Sequence, residues 1–259
     1  MPAIPLEHHA HASHLDLGLK TARDLLDRRT PDDALPITLD PLRRLLPHGL
    51  LRGELIEIHG DRSCGRLSMV LAFLAAATAS GESAALVDLG DHFDPQDAKA
   101  AGVVLERLLW MRPTDMKQTL NAAETSITGG FPLVICDLGA PPIRGGRGAQ
   151  TSWLRLLAAA RAHRATLLVS TPYRASGSAA TILLEARRGR VTWRGERPAQ
   201  RLLEGVGARL TLKKMRGGTI ESAADLMMRR GELAIAGEAS ASFDRPVDGP
   251  HRIRARARA

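Results

Sequence analysis

The residues with the clearest capacity for chemistry lie between Glu54 and Leu74, in the run ELIEIHGDRSCGRLSMVLAFL. Gly60 and Gly65 bracket four residues, Cys64 among them; an apolar strand-like run precedes the pair and an apolar helix-like run follows it. This is the layout of a phosphate-binding P-loop, G-x-x-x-x-G-K-[ST], whose loop amides and helix N-terminus face the phosphates. Two positions depart from that chemistry. Arg66 stands where the motif has Lys, and Leu67 where it has Ser or Thr. Arginine keeps the positive charge but presents a broad planar fork in place of a compact ammonium. Leucine has no oxygen for a metal ion, and Ser68, one residue on, is turned about 100° around a helix.

The elements that must position this loop follow from the spacing of apolar runs. A short helix over Asp40 to Leu46 and a Pro47–Gly49 turn precede a buried strand over Glu54 to Ile58, and Leu67 to Ala79 is the helix after the loop. Further strands are predicted at Ser83 to Leu89, Phe131 to Cys136 and Ala165 to Ser170, with helices over Gln96 to Ala101, Thr114 to Thr128 and Ser152 to His163. Val104 to Leu109 reads as a short strand-like piece. Alternating strands and helices at this spacing predict an α/β fold with a mainly parallel sheet. The runs Ala179 to Glu185, Arg190 to Trp193 and Ala208 to Lys214 have hairpin-like separations, which predicts an antiparallel extension. Ligands of open parallel sheets bind beyond the carboxyl ends of the strands. Asp88 and Asp137 end two of these strands and join the glycine loop as candidate site residues.

Composition sets the outer bounds. In 259 residues, 44% hydrophobic and 3% aromatic, one core built from Leu, Ala, Val and Ile is expected, without extensive stacking platforms for bases. Lys and Arg exceed Asp and Glu by 36 to 28, for a formal charge of +8. That excess suits polyanions or acidic protein surfaces, or reflects an Arg-rich codon usage. Cys64 and Cys136 have neither metal-site nor disulfide spacing, and no metal is expected. No apolar run reaches the roughly 18 residues of a membrane span and no signal pattern opens the chain, so a cytoplasmic protein without membrane contact is expected.

The order and spacing of ITLDPLRRLLPHGLLRGELIEIHGDRS, ALVDLGDHFDP, AKAAGV, LERLL and FPLVICDLG resemble the core of the RecA superfamily, over about residues 37 to 215. The resemblance implies a RecA-like P-loop NTPase core, and it implies roles for the altered positions. Arg66 matches the P-loop lysine, Leu67 the magnesium-binding hydroxyl residue, and Gly90 the glutamate that activates water, with Asp91 adjacent. These losses together lead to the expectation of a pseudo-ATPase without bound cofactor. Of the two DNA-facing loops of such a core, the first corresponds to Pro141 to Gly148 with Arg144 and Arg147. The second corresponds to Pro172 to Ala179 and carries only Arg174.

Within the superfamily the chain looks most like the ImuA family, RecA-like accessory proteins of bacterial mutagenesis cassettes that also share a name with the cell-division inhibitor SulA. That likeness implies a non-catalytic adaptor in the DNA-damage (SOS) response and error-prone translesion synthesis. Its implied partners are a Y-family polymerase-like mutasome protein, an error-prone replicative polymerase, RecA and DNA, with self-association open. An ATP-dependent recombinase-like regulator and a SulA-like division inhibitor are the alternatives. The expected organisation is a tail and short helix over residues 1–36, a core over 37–215, and a helical segment with a basic tail over 216–259. Leu19, Leu25 and Leu26, with Leu226 and Met227 on a helix over Ala223 to Arg230, are protein-docking candidates. Arg252, Arg254, Arg256 and Arg258 of the basic tail are candidates for nucleic acid.

Overall fold

The computed structural model describes residues 33–139, 148–195, 201–215, 222–229 and 232–235. The expected helix around Leu19, Leu25 and Leu26, the loop with Arg144 and Arg147, and the tail with Arg252, Arg254, Arg256 and Arg258 lie outside them. In chain order, β1 (Ala34–Leu35), α1 (Asp40–Leu45) and β2 (Leu50–Leu51) precede β3 (Leu55–His59) and α2 (Arg66–Ala79). Then come β4 (Ala84–Asp88), α3 (Pro95–Ala100), β5 (Leu108–Met111), α4 (Met116–Thr128), β6 (Leu133–Asp137), α5 (Gly148–Ala162) and β7 (Thr166–Thr171). Four long or short strands close the described chain: β8 (Ile182–Arg194), β9 (Leu202–Lys214), β10 (Ser222–Arg229) and β11 (Glu232–Ile235).

The main sheet runs β11-β10-β9-β8-β3-β7-β6-β4-β5. The six strands from β8 to β5 pair in parallel, and β9, β10 and β11 are added antiparallel on the β8 side. This is the mainly parallel sheet with an antiparallel extension that the apolar spacing predicts. Strands β3, β4, β6 and β7 are buried along nearly their whole length, so most of their side chains are apolar on both faces. One face packs on Met69, Val70, Phe73 and Leu74 of α2. The other packs on Leu120 and Ile127 of α4 and on Trp153 and Leu156 of α5.

Three expectations need correction. Of the helix expected over Ala223 to Arg230, the described residues form a strand instead: β10, with Ser222 to Arg229 paired one for one against Leu212 to Gly205 of β9. Ala224 and Leu226 recur at the two-residue period of a strand, and the open edge of β9 supplies the hydrogen bonds that a helix would make internally. Leu226 is consequently a buried core residue and not an exposed docking residue, while Met227 is half-buried. Second, Ala179 to Trp193 contains one continuous strand in place of two, bent by register irregularities between Arg188 and Val191 and between Thr192 and Trp193. Third, Val104 to Leu109 divides into a single 3-10 turn over Leu105–Arg107 and the start of β5.

Glu57 fixes the connection after β7. Buried on β3, its carboxylate accepts hydrogen bonds from the backbone N–H groups of Ala175 (3.1 Å) and Ser176 (2.8 Å) and from the Ser176 hydroxyl. The segment carrying Arg174 is therefore tied to the sheet, although Arg174 itself is exposed. Replacing Glu57 by Ala strands buried donors, each costly when unpaired, so the Glu57→Ala variant is expected to lose about 3 kcal/mol of stability. Urea denaturation measures it, and a loss within error of zero would refute the clamp.

Candidate functional site

The site forms where β3, β4, β6 and β7 end on the same side of the sheet. The β3 chain leaves at Gly60, whose N–H donates to the Thr171 carbonyl at 3.2 Å. A side chain at Gly60 would drive into the Ala186 carbonyl of β8, so the loop requires glycine there. Gly65, at φ 88°, is the N-cap of α2, and no side chain caps that terminus. First-turn N–H groups of a fourteen-residue helix thus face outward, with the positive end of its dipole behind them. The loop borders a cleft of about 520 Å³ lined by Asp61, Arg62, Ser63, Gly65, Arg66, Leu67, Ser68, His92 and Asp137. Both Leu67 and Ser68 reach it, so the hydroxyl missing at 67 is present one residue later.

Arg66 bridges from α2 to the opposite wall. Its Nη1 donates to Ser170 Oγ at 3.0 Å and lies 3.7 Å from Asp137 Oδ1, and its Nη2 donates to the Gly139 carbonyl at 3.3 Å. Its Nε is buried without a hydrogen-bond partner. Burial pushes the Asp137 carboxyl above its usual range, while the Ser170 hydrogen bond and the Arg66 charge act in the opposite direction. Burial also raises both thiols, that of Cys136 to about 12, so both stay protonated and unreactive at neutral pH.

The expected acidic partners divide. Asp137 enters the cleft. Asp88 is used for structure: it accepts from the His92 and Phe93 backbone N–H groups and from Trp110 Nε1 at 3.3 Å, holding the loop after β4. Asp91 is committed outward to Arg112, at 2.7 and 2.8 Å, and that guanidinium lowers its pKa. Asp91 therefore does not replace a base at position 90.

Gly90 packs on Gly139, and a Cβ built at 90 would lie 2.5 Å from the Gly139 Cα. It would also meet His92 Nδ1, so the His92 imidazole occupies the space into which a side chain at 90 would project. Sequence spacing missed His92, Ser170 and Glu57. For His92 the signal was its place two residues beyond Gly90 in LGDHFDP.

The model of the RecA N-terminal domain matches residues 42–142, which include the loop, Asp88, Gly90 and Asp137. Over these residues the chain is similar to that domain, within a RecA-like P-loop NTPase fold. Similar relatives are Protein RecA of Acidothermus cellulolyticus, 35% identical over 43% of this chain and 33% of the relative, and Protein RecA of Clostridium acetobutylicum, 34% identical over 34% and 26%. Protein RecA of Acholeplasma laidlawii is 34% identical over 34% of this chain and 27% of its own length. The likeness thus spans about a third or less of these relatives. The family match, over residues 42–142, includes the altered loop, and the similar relatives are RecA proteins, so Arg66, Leu67 and Gly90 do not by themselves mark the RecA-like core as inactive. The expectation of a pseudo-ATPase is corrected on that ground.

The raised Asp137 pKa has a defined consequence for stability. A group whose folded pKa lies above its unfolded value stabilises the fold fully below the unfolded value, and that contribution is lost as pH rises through the folded one. Asp137→Asn, permanently neutral, is therefore expected to gain stability relative to the natural chain as pH rises from about 4 toward neutrality. Urea denaturation of both chains across that range is the check; a difference that does not change with pH would contradict it.

Proposed function

We propose that this chain is an ATP-dependent, RecA-like regulator whose nucleotide phosphates are held by arginine. The observation that carries the reading is the Arg66 site: an open helix N-terminus, a guanidinium reaching across the cleft, and a buried Nε without a partner. A polyphosphate fits this donor set, since Arg62, Arg66 and the amides after Ser63 all present positive charge or N–H groups. Magnesium fits it less well, because Leu67 supplies no oxygen at the motif position and the oxygen-bearing side chains of the cleft are Asp61, Ser63, Ser68 and Asp137. The nucleotide, when bound, supplies the phosphoanhydride that is cleaved.

The residues then have separate tasks. Arg66 exchanges its contacts with Ser170 and Gly139 for phosphate oxygens and neutralises charge that builds on them. Asp137, no longer shared, is left beside the cleft to accept a hydrogen bond from water. His92 stands in the space of the missing side chain at 90 and is the group placed to take a proton. Family likeness supports a setting in DNA repair. The narrower setting, damage-induced translesion synthesis beside a Y-family polymerase-like protein, rests on the resemblance of the core segments described from sequence. The cytoplasm is the compartment that setting requires.

Calorimetric titration with ATP, with and without magnesium, and a phosphate-release assay test this reading. Arg66→Ala is expected to weaken ATP binding about tenfold, and His92→Ala to slow turnover about a hundredfold with binding retained. Absence of binding in both conditions, or turnover indifferent to both substitutions, would sink the proposal.

A further inference from the structure

The carboxylates at and just beyond the strand ends already have partners. Asp88 holds the loop after β4 through the His92 and Phe93 N–H groups, and Asp91 is paired outward with Arg112. Asp137, 5% exposed, faces Arg66 Nη1 at 3.7 Å. Asp61 and Ser63 are exposed on the loop, where water competes for any ion they would hold. Ser68 stands one residue past the position whose hydroxyl meets the metal in such loops. Among the described residues, no three of His, Cys, Asp or Glu gather where they could share an ion.

In P-loop NTPases a magnesium ion, held by the loop hydroxyl and an aspartate, bridges two phosphates and offsets their charge. Magnesium demands a near-octahedral set of oxygens at about 2.0–2.1 Å. An ion at that distance from Asp137 Oδ1 would lie within about 6 Å of Arg66 Nη1, with like charge facing it. Both side chains are largely withdrawn from water, so that repulsion is weakly screened. The residues present therefore do not fit the ion that the fold ordinarily uses.

Arg66 has what the phosphates need. Its Nη1 and Nη2 rest on neutral acceptors, Ser170 Oγ and the Gly139 carbonyl, and its buried Nε has no partner among the described residues. Phosphate oxygens are stronger acceptors than these, and a guanidinium meets them through paired N–H groups. Arg66 is also the first residue of α2, whose uncapped N-terminus adds backbone donors beside it. Arg62 lines the same cleft, its carbonyl held at 3.0 Å by Arg188 Nε at the root of the exposed β8–β9 hairpin. The positive charge a polyphosphate requires is thus part of the chain itself.

We propose that this site takes its polyphosphate free of divalent cation, a step that rests on the nucleotide reading above. The Arg66 guanidinium supplies at the phosphates the charge that magnesium supplies where residue 67 is Ser or Thr. Magnesium in solution competes with Arg66 for the same phosphate oxygens and does not strengthen binding.

Calorimetric titration of the full chain with ATP, in excess EDTA and in excess magnesium, tests the proposal. For the natural chain the Kd in EDTA is expected to lie within about threefold of the Kd in magnesium, or below it. The double variant Arg66→Lys with Leu67→Thr restores a compact ammonium and a hydroxyl, and is expected to bind about tenfold more tightly in magnesium than in EDTA. Leu67→Thr alone keeps the guanidinium and is expected to bind no more tightly in magnesium, a comparison that stands even if the double variant does not fold. Magnesium tightening the natural chain by more than about threefold would overturn the proposal and leave the nucleotide reading in place. The same gain in Leu67→Thr, or no gain in a folded double variant, would overturn the role given to Arg66. Absence of ATP binding by the natural chain in either buffer would remove the nucleotide reading and the proposal together.

Discussion

Arg66 is the tie on which the site depends. It begins α2, yet its guanidinium is held by the ends of β6 and β7 through Asp137, Gly139 and Ser170. Three separate elements are thereby connected at the point where a parallel sheet opens toward its ligand. A lysine in the same place would offer three donors from a single compact ammonium, without the spread of a planar fork. The planar fork of arginine can serve the hydroxyl and the carbonyl together, at the cost of aiming its Nε–H into a place without a partner. Leaving a buried donor unpaired is unfavourable by roughly 1–3 kcal/mol, which makes the resting arrangement one that an incoming acceptor improves.

The surrounding backbone narrows what else the site can do. Gly90 and Gly139 approach so closely that neither position tolerates a side chain without displacement of the β4 and β6 loops. Because Gly139 also receives Arg66, the glycine contact and the arginine tie are parts of one arrangement. His92 closes over Gly90, and its own backbone is held by Asp88. The phosphate loop rests on β8 through Gly60 and Ala186, and Arg188 of β8 reaches the Arg62 carbonyl. The root of the exposed hairpin therefore touches the loop directly.

The parallel core was legible in sequence because its strands are buried on both faces and read as short continuous apolar runs between glycine turns. The Asp40 helix, the glycine loop and the strand ending at Asp137 fall within two residues of expectation. Beyond β7 the rules weaken. AADLMM has neighbouring apolar residues that suit either period, and only the presence of β9 alongside selects the strand. Ser170 was not legible as a site residue, since it joins the site only through its hydrogen bond to Arg66 at long sequence separation, and His92 carried no more signal than its place two residues beyond Gly90. Asp88 was misleading for a related reason. A carboxylate at a strand end can face a ligand or tie down its own loop, and only the positions of the Phe93 N–H and Trp110 indole decide.

The departures at 66 and 67 make physical sense as a pair. Asp137 is buried, and an unaccompanied buried carboxylate is strongly disfavoured in its charged form. In a site with a hydroxyl residue at 67, a bound cation would supply the compensating charge. Leu67 withdraws one ligand from that cation, and Arg66 places a fixed positive charge 3.7 Å from the same carboxylate. Lysine with Leu67 would leave Asp137 dependent on a weakly held metal, while arginine with a hydroxyl at 67 would set guanidinium and metal in competition for one oxygen. Each substitution removes the difficulty created by the other. The coupling accounts for a RecA-like loop that keeps its glycine frame and its positive charge while losing the ordinary metal ligand.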